Sequence, residues 1–126
     1  MRRSNAATIL EFFRRFNEED VGGLLELFAD DATFSMVLYD EDLRGKAALG
    51  DFFQMHLANW HQHREWATSV MVSGNRAASE LHFEGTTVSG KPVVMDNLNI
   101  WTFDSDGLIT RIRVYADTAP MLEALG

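Results

Sequence analysis

REWATSVMVSGNRAASELHFEGTTVSGKPVVMDNLNIWTFDSDGLITRIRVYAD, residues 64–117, decides the fold. No helical period runs through it. Four β-rich runs, Arg64 to Ser73, Arg76 to Val88, Lys91 to Phe103 and Leu108 to Asp117, are separated by Gly74-Asn75, Ser89-Gly90 and Asp104-Ser105-Asp106-Gly107. These breaks are hairpin punctuation, since glycine, asparagine and aspartate supply the backbone angles of tight turns. Pro92 falls at the start of its run, where a strand tolerates a missing N–H.

Upstream, the period changes to that of helices. Ile9, Phe12, Phe13 and Phe16 recur at i, i+3, i+4, i+7, with Ser4 placed to cap the helix. Asp20 caps a second helix carrying Val21, Leu24, Leu25 and Phe28, which Asp30-Asp31-Ala32-Thr33 ends. Phe34 to Tyr39 reads as a short strand, and Asp40-Glu41-Asp42 as a solvated loop. After Gly45, the residues Leu49, Phe52, Phe53, His56, Leu57 and Trp60 share one helical face. Ala119-Pro120-Met121-Leu122 begins a terminal helix. Helices followed by consecutive hairpins predict an α+β fold with an antiparallel meander.

Turn length fixes register, and register fixes which side chains are neighbours. With Ser89-Gly90 as a two-residue turn, Val88 pairs with Lys91, His82 opposes Asn97, and Glu80 opposes Asn99. With a four-residue Asp104–Gly107 loop, Asn99 lies beside Ile112 and Asn97 beside Val114. One face then carries Glu80, His82, Glu84, Met95, Asn97, Asn99, Trp101, Ile112 and Val114. The other carries Leu81, Phe83, Leu98, Ile100, Arg111 and Arg113. Ile112 and Val114 turn the first face toward the helices, while Leu81 and Phe83 favour the second. The first assignment is preferred. It clusters four polar side chains in an apolar concavity, as in a small-ligand pocket, and exposes Leu81, Phe83, Leu98 and Ile100 as a patch suited to a dimer. On the other assignment the polar cluster is a wet surface and the apolar patch is core.

The chain of 126 residues is expected to form one domain over residues 1–126, and its 46 % hydrophobic content supplies a core. Nineteen acidic against eleven basic residues give a formal charge of -8, which disfavours nucleic acid and anionic membranes as partners. There is no cysteine, hence no disulfide and no thiolate zinc site. No apolar run approaches the ~20 residues of a membrane span, and the start, Met1-Arg2-Arg3-Ser4-Asn5, lacks a signal-peptide stretch. A cytoplasmic protein is expected.

Several segments resemble the ketosteroid-isomerase/SnoaL-like superfamily: Leu27-Phe28-Ala29-Asp30-Asp31-Ala32-Thr33, Arg44-Gly45-Lys46-Ala47-Ala48-Leu49, Phe103-Asp104-Ser105-Asp106-Gly107-Leu108-Ile109-Thr110, and the tail from Arg113-Val114-Tyr115-Ala116-Asp117 to Gly126. The resemblance implies a cone-shaped fold: a curved antiparallel sheet wrapped around helices, an internal pocket, and frequent dimerisation. It also implies acid–base chemistry on small hydrophobic molecules without a metal or other cofactor. The family's catalytic residues do not carry over. The ketosteroid-isomerase tyrosine, general-base aspartate and oxyanion-hole aspartic acid match Phe12, Met36 and Asn99. The Asp-Arg-Asp set, tyrosine and asparagine of epoxide-hydrolase relatives match His82, Glu80, Val114, Phe34 and Met36. The polyketide-cyclase aspartate and histidine match Val114 and Asn99.

Glu80 and His82 share a strand face, and a carboxylate beside an imidazole can work as an acid–base pair. Asn97 and Asn99 can orient a carbonyl or a water. Phe12, Phe16, Phe34, Met36, Phe53, His56, Trp60, Trp101, Ile112 and Val114 are the expected pocket wall. His61 and His63 are read as solvated. Glu80, His82 and Glu84 have no recognised metal-binding spacing, so no metal site is expected. The expected function is a cofactor-free isomerase, cyclase, dehydratase or hydrolase acting on a small hydrophobic substrate, with His82 as base or acid and Glu80 as its partner. The alternative is a non-catalytic ligand-binding or association module. In either case a homodimer through the outer sheet face is expected.

Overall fold

Ser4 starts the first helix: its hydroxyl accepts the Ala7 amide hydrogen at 3.1 Å. Asp20 starts the second by accepting from Gly23 at 2.9 Å. The computed structural model describes residues 2–37 and 40–125. Its elements are α1 (Asn5–Asn17), α2 (Val21–Leu25), β1 (Phe28–Met36), β2 (Leu43–Arg44), α3 (Lys46–Ala58), β3 (Trp60–Ser73), β4 (Arg76–Thr87), β5 (Pro92–Phe103), β6 (Ile109–Tyr115) and α4 (Thr118–Leu125). The fold is α+β: helices on the concave side of a curved, unclosed six-stranded sheet ordered β2-β1-β6-β5-β4-β3.

The helix–strand boundaries differ from the sequence reading in two places. Phe28, read on the second helix, and Asp30 to Thr33, read as its end, all belong to β1, which pairs in parallel with β6. Local acidity marked a stop; the long-range pairing overrides it. Tyr39, read as the end of that strand, lies outside the described residues. Trp60, read on the long helix, opens β3 instead, because the helix ends at Ala58.

The larger correction concerns register. Thr87, not Val88, opposes Lys91: the Thr87 amide donates to the Lys91 carbonyl at 2.9 Å, and Gly90 donates to the Thr87 carbonyl at 2.9 Å. The loop therefore holds three residues, Val88-Ser89-Gly90, with Gly90 at φ +91°, the three-residue hairpin whose last position is left-handed. The Thr87 hydroxyl also accepts the Lys91 amide hydrogen at 3.1 Å. One extra loop residue slips β4 by one position, so His82 pairs with Asp96, Leu81 with Asn97, and Phe83 with Met95. The whole of β4 is inverted relative to the preferred reading. Leu81 and Phe83 are buried at 3 % and 1 % exposure, and Glu80, His82 and Glu84 face outward.

The β5–β6 register also differs, but by two positions. Asn99 pairs with Val114 and Trp101 with Ile112. The turn closes on Asp104 and Leu108, and an irregularity at Thr102/Phe103 adds a second residue. Two single shifts restore parity, so Asn97, Asn99, Ile112 and Val114 stay on one face.

The core is aromatic. Phe12 meets Phe13, Phe28, Phe53 and Trp101 edge to face, with ring centroids 5.2 to 6.2 Å apart. Trp101 is fully buried and donates its indole N–H to Ser79 at 2.9 Å. That bond satisfies a donor which would otherwise be costly to bury.

Candidate functional site

A cavity of about 60 Å³ lies between α1, α3 and the inner sheet face. Phe12 and Phe16 descend from α1, Phe53 and His56 from α3, and Phe34 and Met36 from β1. Leu81, Phe83, Met95, Ile112 and Val114 form its floor. Trp60 and Trp101, expected in the wall, stand one layer behind it. Trp60 packs on Phe83 at 4.7 Å and Trp101 on Phe12 at 5.2 Å.

Four polar side chains reach this apolar space: Glu65, His56, Asn97 and Asn99. Asn99 is buried at 4 % exposure, and its Oδ1 has no hydrogen-bond partner. Asn97 is partly committed, because its Oδ1 accepts the Asp117 amide hydrogen at 2.8 Å. His56 lies between the Phe52 ring at 5.8 Å and the Phe16 ring at 5.9 Å. Burial, helped by the nearby His63, pushes its imidazole down to about 4, so it is neutral at pH 7.

Glu65 is the group the sequence reading missed. It opposes Phe83 across β3–β4 and so shares the inner face. Asn17 clamps its backbone: the Asn17 amide donates to the Glu65 carbonyl at 2.7 Å, and the Glu65 N–H donates to Asn17 Oδ1 at 2.8 Å. Among the described residues no hydrogen bond or ion pair reaches its carboxyl group. Burial alone pushes that carboxyl up to about 8, because a carboxylate among phenyl rings loses its hydration without replacement. The register irregularity between Trp60 and Gln62 is what turns His63 and Glu65 inward. Nothing in the residue types marks that irregularity, so alternation counted from Trp60 or from Trp66 puts Glu65 outside.

Glu80 and His82, expected in the concavity, lie on the other face. His82 Nδ1 is 2.7 Å from Asp96 Oδ1, and Nε2 is 3.1 Å from Glu84 Oε1. The hydrogen bond with Asp96, then that with Glu84, raises its pKa. The ring lies 4.9 Å from Trp66, whose face carries the Arg64 guanidinium at 4.4 Å. This is a solvated ion-pair network. Among the described residues no group of three or more acidic or histidine side chains is placed to hold a metal, and no helix is long and apolar enough to cross a membrane.

The SnoaL-like domain model matches residues 9–112. The chain belongs to the SnoaL-like domain family. A Steroid Delta-isomerase from Nocardioides simplex is 33 % identical to this SnoaL-like chain over 90 residues, covering 71 % of it and 70 % of that protein. Among solved structures, an NTF2-like protein from Burkholderia pseudomallei K96243 superposes with a TM-score of 0.86 at 20 % identity, over 95 % of each chain. TerC, crystallised with polyporic acid, superposes with a TM-score of 0.85 at 22 % identity, over 96 % of this chain and 97 % of TerC. The two structures share the cone-shaped fold with this SnoaL-like domain; at that identity the likeness extends no further. Fold does not give function; among the described residues Glu65 is the one acidic side chain lining the cavity, and Met36 and Val114 line it as apolar groups.

Proposed function

We propose that this SnoaL-like domain is a cofactor-free acid–base enzyme for a small, uncharged, hydrophobic substrate, with Glu65 carrying the proton and Asn99 orienting the reacting polar group. One observation carries the reading: a carboxyl held at about 8 among aromatic side chains. Such a group is poised to give and take a proton near neutral pH. The orphaned Asn99 Oδ1 supplies a second polar contact. Among the described residues no lysine or arginine lines the cavity, which favours a neutral ligand. Likeness to a steroid isomerase supports a hydrophobic carbonyl compound. In this reading Asn97 and Asn99 keep the orienting part first expected of them, while Glu65 replaces His82 and Glu80.

A second reading, a non-catalytic pocket for the same ligands, is favoured by Phe12, Met36 and Val114 at the family's acid and tyrosine positions. One experiment separates them. The protein is incubated in deuterium oxide with a panel of cyclic and steroidal ketones, and mass spectrometry reads exchange beside the carbonyl. Catalysis predicts deuterium uptake that falls about 100-fold in Glu65→Gln, the usual weight of a general acid–base group. Binding without uptake identifies the non-catalytic module, and absence of both rejects the pocket as a ketone site.

The proposed assembly is a second copy docked on the outer sheet face. Cross-strand rows there run Arg76, Thr102, Arg111, Thr33, Arg44; then Met71, Ala78, Ile100, Arg113; then Ser69, Glu80, Leu98, Tyr115; then Trp66, His82, Asp96. One end carries Arg44, Arg76 and Arg111, the middle mixes Met71, Leu98 and Ile100 with Arg113 and Glu80, and the other end carries Asp96 and Glu84 around His82, with Arg64 beside them. A two-fold axis near Ile100 and Leu98 sets each arginine end on the partner's Asp96 and Glu84.

A further inference from the structure

His63, read from sequence as solvated, is an inward-facing side chain only 2 % exposed. It is two residues from Glu65 on β3, and pairing with β4 is unbroken between them, so both side chains share the inner face. Its two ring nitrogens have different surroundings. Nε2 is 3.0 Å from Oε1 of Glu19, whose own side chain is 54 % exposed. Nδ1 is buried and has no hydrogen-bond partner. The ring is held between Phe16 at 5.3 Å and Phe83 at 6.5 Å, stacked parallel on the latter. One edge of the imidazole thus touches a solvated carboxylate, and the other is buried on the sheet face that Glu65 shares.

The placement of Glu19 is itself unusual. It sits just past the end of α1 at φ +58°, among the described residues the one non-glycine residue in the left-handed region. Its amide donates to the Phe16 carbonyl at 3.0 Å and that of Asp20 to the Arg15 carbonyl at 3.0 Å. This is the helix-ending motif that ordinarily takes glycine or asparagine. A glutamate there is strained, since its Cβ crowds the backbone in the left-handed region, and its carboxylate lands on His63.

We infer that His63 is a proton relay between the solvated Glu19 carboxylate and the Glu65 carboxyl. The inference rests on the reading of Glu65 as the proton carrier. When Glu65 has given up its proton, His63 Nε2 takes one arriving from water at Glu19. The Nδ1 proton then passes to Glu65 through a bridging water and leaves a neutral ring protonated on Nε2. On the return passage Glu65 delivers its proton to Nδ1, and the Nε2 proton leaves through Glu19. Each passage moves one proton and no electrons and leaves the ring in the other tautomer; the return passage restores the first. His56, the other imidazole beside this path, is neutral at pH 7 and does not compete for the proton. The relay decides whether a proton taken from substrate is returned to it or replaced from solvent.

The test is carbon NMR of the Glu65 carboxyl across its titration, in wild type, His63→Phe and Glu19→Gln. The midpoint reports the site, and the line shape reports the relay. Wild type is expected to show one averaged line moving with a midpoint near 8. Each variant is expected to keep an elevated midpoint but exchange about tenfold or more slowly, giving separate protonated and ionised lines. His63→Phe keeps the aromatic packing; should it fail to fold, Glu19→Gln, at the surface, decides alone. Unchanged line shapes in the folded variants overturn the relay and leave the Glu65 assignment standing. A wild-type midpoint in the ordinary carboxylate range overturns the Glu65 assignment and the relay with it.

Discussion

Glu65 and His56 pull the stability of the protein in opposite directions as pH changes. The Glu65 carboxyl ionises near 4.5 when unfolded and at about 8 when folded. Between those values the folded state holds a proton that the unfolded state has lost, so stability falls as pH rises. His56 behaves inversely. It charges near 6.5 when unfolded and at about 4 when folded, so stability falls as pH drops through that window. The two slopes oppose each other between pH 4.5 and 6.5, and of the two only that of Glu65 acts above. Melting curves of Glu65→Gln should therefore rise from pH 4 to 6.5 and fall less steeply than wild type above it, where the raised pKa of the outward-facing His82 leaves a weak slope of its own, and the variant should exceed wild type at pH 8. A profile parallel to wild type would show that Glu65 titrates normally in the folded protein. At this scale the sequence was a partial guide. Asn97 and Asn99 were legible because their strand neighbours Trp101, Ile112 and Val114 are unambiguous core residues. Glu65 was not, because its direction depends on a strand irregularity that no residue type announces.

A single loop residue decides what the β4–β5 hairpin presents to the pocket. Val88-Ser89-Gly90 closes as three residues with Gly90 at φ +91° and open space around its Cα. Gly90→Ala should therefore meet only backbone strain, about 1–2 kcal/mol, visible as a lowered melting temperature with the register kept. Deleting Val88 is the sharper experiment. It imposes the two-residue turn and drives Glu80, His82 and Glu84 inward while Leu81 and Phe83 turn to water. Loss of cooperative folding is expected; a deletion variant as stable as wild type would mean that turn length does not set this register. Element order, both helix caps and the hairpin positions were legible because each has a local chemical signature. Turn length was not, since Ser89-Gly90 and Val88-Ser89-Gly90 satisfy the same composition rule. Only the buried pair Leu81 and Phe83 distinguished them, and that preference was outweighed by β6.

At the scale of the whole molecule, the outer face mixes charge with apolar side chains: of the expected patch, Leu81 and Phe83 are core, while Leu98 and Ile100 stay outside, half-buried, on a face that also carries the exposed Met71, Val94 and Tyr115 and the charged Arg76, Arg111 and Arg113. Self-association through it should depend on salt and on charge sign. Sedimentation should show a dimer at low ionic strength that weakens as salt rises, and Arg113→Glu should shift it toward monomer more than tenfold in dissociation constant, about 1.4 kcal/mol or more. A monomer at every salt concentration would reject the docking. The cone itself was legible from sequence through the resemblance, but its parallel seam between β1 and β6 was not.

That seam governs how the molecule comes into being. The last strand synthesised lies in the middle of the sheet, between β1 and β5. Ser35 must wait for Arg113, seventy-eight positions later, to find its partner. On the ribosome, α1, α3 and the β3–β4–β5 hairpins can assemble while β1 has only the two-residue β2 beside it. Phe34 and Met36 then face an unfinished cavity. Insertion of Ile109–Tyr115 is a late, non-local step of the kind that slows folding. Closing the sheet and forming the pocket are therefore a single event.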